Sequence, residues 1–183
     1  MKHQENRIQA EIAGGSMTSP REWPRKGQFL RSFELLSSRS RTIRLSDYRG
    51  AAGLVLILSD ERPETEELMR EAGRQYPEIR KKDAEVLAIV HGSQGQVSAV
   101  EQRLNLPYPV LLDQHGRLHM ELGATDAQNH DAAAVYVTDR FGEVFALYRT
   151  AEGDVLPGIG EILQQFEFIS FQCPECEPPE WPA

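Results

Sequence analysis

Leu54-Val55-Leu56-Ile57-Leu58, followed at once by the polar turn Ser59-Asp60-Glu61-Arg62-Pro63, limits the possible folds of this chain more than any other stretch. An unbroken apolar run of this length, bounded by turn residues, suits a strand buried on both faces, as in the middle of a sheet covered by helices. In open sheets of that kind, ligands gather beyond the carboxyl ends of the strands. The expected site is therefore Ser59–Pro63, where no side chain is a stronger nucleophile than a serine hydroxyl.

The flanking sequence supplies the rest of such a fold. Ahead of the run, Phe33 and Leu35 alternate with polar residues, Ser37-Ser38-Arg39-Ser40 forms a turn, and Ile43 and Leu45 alternate again, which predicts a β-hairpin. Behind it, Pro63 suits a first helical turn, and Leu68, Ala72 and Ile79 recur at helical spacing until Pro77 breaks or kinks the helix. Ala84–Val90 reads as a second buried strand. Ser93-x-x-Gln96 is a capping box that opens a helix lined by Val97, Val100 and Leu104. A short strand at Val110–Leu112 and a short helix at Arg117–Leu122, stopped by Gly123, come next. Ala132–Thr138 and Glu143–Arg149 form a hairpin around Gly142, and Ile159, Ile162, Leu163 and Phe166 line a closing helix. The expectation is an α/β fold with a central mixed sheet flanked by helices and an N-terminal β-hairpin. It spans residues 28–170, between a mobile arm at 1–27 and a Pro-rich tail at 171–183.

Composition enters where it excludes functions. A net charge of −8 argues against a dedicated nucleic-acid or anionic-membrane partner. Residues 21–49 are an exception, with Arg21, Arg25, Lys26, Arg31, Arg39, Arg41, Arg44 and Arg49 against Glu22, Glu34 and Asp47; the reading is a solvated basic hairpin beside an acidic body. No apolar run approaches the ~18 residues of a membrane span, and the N-terminus has no apolar signal core. Cys173 and Cys176 are the only cysteines, too few for a secreted disulfide framework, and the expected location is cytoplasmic.

Several pieces also resemble a known family in order and spacing. They are Phe33-Glu-Leu35, Ile43-Arg-Leu-Ser-Asp-Tyr-Arg-Gly50, Leu54–Leu58, Glu85-Val-Leu-Ala-Ile89, Leu106-Pro-Tyr-Pro-Val-Leu-Leu-Asp113, Leu122-Gly123 and Val135-Tyr-Val-Thr-Asp-Arg-Phe-Gly-Glu-Val144. From about Phe29 to Phe168 the sequence resembles the peroxiredoxins, the redoxin or alkyl hydroperoxide reductase–thiol-specific antioxidant family. The resemblance implies a thioredoxin-like fold and thiol redox chemistry. It would place a peroxidatic cysteine in the first turn of the helix after the first core strand, where the helix N-terminus favours a thiolate. Here that segment is Ser59-Asp-Glu-Arg-Pro-Glu-Thr-Glu-Glu67, without cysteine. The family's arginine aligns near Ala133, and the cis-proline of thioredoxins has no counterpart in Asn129–Ala134. The scaffold carries over, and the usual peroxidase site does not.

Cys173-Pro-Glu-Cys176 is then the one redox-capable constellation, with either thiol as nucleophile and the other resolving it, and a thioredoxin-type reductant as partner. Three readings stay open: a dithiol–disulfide couple; a zinc site completed by the pair of a second chain, since a closed structural site takes four ligands; or a tail clasp on a protein that binds without catalysis. Glu175, Glu177 and Glu180 oppose thiolate formation. A second candidate gathers His91, Asp60, Glu61, His130 and Asp131 at the strand ends, as a divalent-metal site or a proton relay against the alternative of helix-capping loop residues. His115 and His119 have the i, i+4 spacing of a metal pair. Trp23 and Trp181, in Pro-rich terminal segments, either fold back on the domain or build a homodimer.

Overall fold

The structure, a computed structural model, describes residues 23–171. The hairpin pairs β1 (Glu34–Ser37) with β2 (Thr42–Arg44), and a 3-10 turn over Leu45–Asp47 leads to β3 (Gly53–Ser59), the predicted run extended by one residue at each end. Every residue of β3 is buried. Helix α1 (Pro63–Arg74) has proline in its first turn and ends at Gln75, two residues ahead of Pro77, whose ring cannot continue the helix; a separate short α2 (Tyr76–Arg80) starts there. β4 (Ala84–His91) runs into α3 (Gln94–Leu104), capped as predicted: Ser93 Oγ accepts from the Gln96 backbone N–H, and Gln96 Oε1 accepts from the Ser93 N–H at 2.8 Å. β5 (Val110–Asp113), α4 (Arg117–Glu121), β6 (Ala134–Thr138), β7 (Val144–Arg149) and α5 (Ile159–Ser170) complete the order.

The strands form one seven-stranded sheet in the order β2-β1-β5-β4-β3-β6-β7. β3, β4 and β5 are parallel, and every other pairing is antiparallel. β3 thus lies inside the sheet, between β4 and β6, as its continuous apolar pattern demands. Alternation sorts its side chains: Val55 and Ile57 join Val86, Ala88, Val135 and Val137 beneath α1, α3 and α5, while Leu54, Leu56 and Leu58 join Leu87, Ile89 and Tyr136 with Leu118 of α4 on the other face. The N-terminal hairpin is no appendage, because β1 also pairs with β5 through Leu36↔Leu112 and Ser37↔Leu111.

Both strands of the second hairpin begin later than the sequence reading puts them. Strand β6 begins at Ala134 rather than Ala132, because the Ala132 N–H goes to the Ala124 carbonyl and that of Ala133 to Thr150 Oγ1. β7 begins at Val144, because the Glu143 N–H is taken by Asp139 Oδ1. The last residues of the stretch read as an arm lie against the body: the Gly27 N–H donates to the Val144 carbonyl, and Trp23 Nε1 donates to the Met120 carbonyl at 3.1 Å.

Candidate functional site

The parallel register puts Ser59 beside Val90 and His91 beside Asp113, so the carboxyl ends of β3, β4 and β5 form one ledge. The β3–α1 connection is folded by its own polar groups. Ser59 Oγ accepts from the Glu61 N–H at 3.2 Å, and Glu61 takes the left-handed conformation at φ 60°. Asp60 Oδ1 accepts from the Arg62 N–H at 3.2 Å and from the Thr65 hydroxyl at 2.7 Å, while Oδ2 meets Arg62 Nε at 3.1 Å. The Asp60 carboxylate is only 2% exposed. A helix N-terminus attracts an anion because its first N–H groups lack intrahelical partners. In α1 no side chain caps the first N–H groups; Asp60 instead holds the Arg62 N–H and the Thr65 hydroxyl beside them, and Glu64 and Glu66 add further negative charge to the first turn. Arg103 forks onto Glu66 at 2.5 Å through both terminal nitrogens, and those bonds hold the carboxyl below its usual range against the opposing effect of desolvation.

Behind the ledge stands a pair that sequence spacing did not reveal. His119 is fully buried, and Asp113 is 3% exposed. His119 Nδ1 donates to Asp113 Oδ2 at 2.8 Å, and the same oxygen accepts the His119 backbone N–H at 2.9 Å. His119 Nε2 lies 3.2 Å from the Ser59 carbonyl, tying α4 to the end of β3. Burial pushes the Asp113 carboxyl upward; the bonds from the His119 ring and backbone outweigh it, so the net displacement is downward. Both ring nitrogens are engaged, and His115 is on the exposed turn, which removes the predicted His115/His119 metal pair.

Of the strand-end candidates, the structure brings two together. His91 Nδ1 bonds the Asp131 carboxylate at 2.9 and 3.2 Å, its ring rests over Gly116, and its centroid is 6.0 Å from that of His119. His130 instead turns to Asp126 at 3.2 Å, and Asp60 is spent on α1. Among the described residues, no group of three or more His, Cys, Asp or Glu side chains is placed to hold a metal. Cys173, Cys176 and Trp181 lie outside the described residues. Ala133, aligned with the family's arginine, is buried; a guanidinium comes instead from Arg149, opposite Ala134 on β7.

A family model described as the AhpC/TSA family matches residues 27–146. The chain belongs to that family. This AhpC/TSA member is similar in structure to peroxidoxin BcpB from Mycobacterium tuberculosis, with TM-score 0.70 at 16% identity, covering 80% of this chain and 98% of that one. A mutant of PrxQ from Xylella fastidiosa gives TM-score 0.70 at 17% identity over 81% and 99% of the two chains. A putative protein disulfide isomerase from Bacteroides thetaiotaomicron gives 0.66 at 16% over 80% and 90%. No curated protein matches the chain. At these identities the solved structures establish the fold, which is thioredoxin-like and of peroxiredoxin type. The family member therefore keeps the scaffold and presents a buried carboxylate, Asp60, beside the start of α1.

Proposed function

We propose that this chain is a thiol–disulfide redox protein whose electrons pass through Cys173 and Cys176. The observation that carries the proposal is the cysteine-free turn Ser59-Asp60-Glu61-Arg62 ahead of α1, with its buried Asp60 carboxylate, in a chain whose only two cysteines stand together as Cys-Pro-Glu-Cys. At the family's usual position the chain has no sulfur, and Asp60, Glu64 and Glu66 oppose a thiolate there. The closing helix runs away from the start of α1. Phe166 packs against Gly53 at the amino end of β3, and Glu167 pairs with Lys82 just ahead of β4 at 3.1 Å. α5 thus ends opposite the α1 N-terminus, a β3 length of about 20 Å away.

In the proposed cycle, one thiolate attacks the terminal oxygen of a hydroperoxide, the O–O bond breaks, and the alkoxide leaves as an alcohol after taking a proton. The second thiol then attacks the sulfenic sulfur, expels water and forms the disulfide. A dithiol of thioredoxin type returns two electrons by exchange. The reducing cytoplasm suits such a couple. A second reading, a binding protein without turnover, is favoured by the same cysteine-free turn ahead of α1, and a zinc ion shared by the cysteine pairs of two chains is a third outcome.

Hydroperoxide consumption with a thioredoxin-type reductant separates them. Wild type should turn over, and Cys173→Ser and Cys176→Ser should each lose at least about tenfold, the scale on which loss of a nucleophile or its resolving partner is read. No turnover in wild type would overturn the proposal in favour of the binding protein, and half an equivalent of tightly held zinc per chain would favour the metal site.

A further inference from the structure

Arg149 is the least satisfied buried group at the carboxyl end of the sheet. Its side chain is 7% exposed, and among the described residues neither Nε nor Nη1 has a hydrogen-bond partner. Nη2 meets Glu152 at 3.1 Å, and Asp154 is spent on the Arg149 backbone N–H at 2.8 Å. Tyr136, on the facing strand, gives its hydroxyl hydrogen to the Leu122 carbonyl at 2.5 Å; burial pushes that phenol up to about 12, with the Arg149 charge and a hydrogen bond from the Arg149 side chain opposing. A guanidinium stays ionised at every physiological pH, so it cannot escape the cost of unpaired N–H groups by losing its proton.

The Trp23 side chain lies over this group. The Trp23 ring lies 5.3 Å from the Arg149 guanidinium carbon and presses onto Gly123, where a Cβ would stand 2.8 Å from the indole and 3.0 Å from Arg149 Nη1. Trp23 is held by that stacking and by its bond to the Met120 carbonyl. The chain is firmly paired only further on, where Gly27 bonds Val144 at 2.8 Å and Leu30 bonds Gly142 at 3.0 Å. Between them Arg25 and Gln28 close a turn, and Gly27 has φ 82°.

We propose that Trp23 is a lid over an oxyanion site at Arg149, which takes a small carboxylate when the indole swings away on the 24–27 turn. Closed, the lid stacks on the cation and leaves two N–H groups unpaired; open, those donors meet a carboxylate, the acceptor that guanidinium favours most. Glu152 already balances part of the charge, so a small monoanion suits the slot that the indole vacates above Gly123. The site is independent of the cysteine chemistry.

Trp23 reports on its own lid once Trp181→Phe makes it the only tryptophan. In that background acetate, at constant ionic strength against chloride, should shift Trp23 emission to the red and raise acrylamide quenching along a saturable curve. Arg149→Gln, with its fold checked by circular dichroism, should weaken that response by about tenfold or more, the loss expected for a charged hydrogen-bond donor. Trp23→Ala, which removes the lid, should bind acetate more tightly than the parent in calorimetry. Emission indifferent to acetate, an equal response in Arg149→Gln, or no binding heat in Trp23→Ala would overturn the proposal.

Discussion

At the residue scale, the most consequential contact is the one between His119 and Asp113. Truncating His119 to Ala leaves a buried carboxylate with its main partner gone, and the cost of breaking such a pair is about 3 kcal/mol. Urea unfolding at neutral pH should show that loss as a lower midpoint with an unchanged slope; a midpoint equal to wild type would mean that the pair contributes nothing. The pair also sets an acid limit. The folded-state pKa of Asp113 is depressed, so its contribution is fully present above the unfolded value of about 3.9 and is lost as pH falls through the lower folded value. Asp113→Asn should accordingly lose less stability than wild type between about pH 4 and pH 2. Sequence spacing could not expose this pair, since His115 and His119 look equivalent on paper; only the packing of α4 onto the sheet buries one and leaves the other on an exposed turn. Asp60 was legible as a strand-end residue, but its hold on the Arg62 N–H and the Thr65 hydroxyl depends on the left-handed turn at Glu61, which no local pattern requires.

At the element scale, local chemistry was readable wherever it was decided locally. Pro63, Pro77, the Ser93–Gln96 box and Gly142 mark ends and turns through their own backbone preferences, and the elements stand where those residues put them. The pairing of β1 with β5 was not readable, because the segments lie far apart in sequence and share no turn to set their register. The seat of α5 shows how tightly one such non-local contact is fitted. A Cβ on Gly53 would stand 2.8 Å from the Phe166 ring and 2.9 Å from the Thr138 carbonyl, and the second of these is backbone that cannot swing aside. Gly53→Ala should therefore destabilise the fold by roughly 2 kcal/mol, the usual cost of overpacking, read as a lower melting temperature. An unchanged melting temperature would mean that β3 and β6 can separate at no cost.

At the scale of the whole molecule, the AhpC/TSA scaffold is kept, and the turn that leads into α1 reads Ser59-Asp60-Glu61-Arg62. The order of strands and helices, with the long apolar run at the centre, sufficed to indicate the fold, because burial on both faces leaves such a run few other homes. The site was less legible: the ledge of Ser59, His91 and Asp113 follows from topology, whereas the burial of Asp60 beside α1 and the packing of Trp23 on Arg149 are tertiary events. The proposal that thiol chemistry rests on Cys173 and Cys176 is the central claim to test. The most direct test is the intact mass of the native protein before and after one equivalent of hydroperoxide, with free thiols counted on the same sample. The account predicts that both thiols disappear, that the mass falls by two hydrogens as the Cys173–Cys176 disulfide closes, and that a thioredoxin-type dithiol restores the starting mass. Two free thiols and an unchanged mass after peroxide would contradict it.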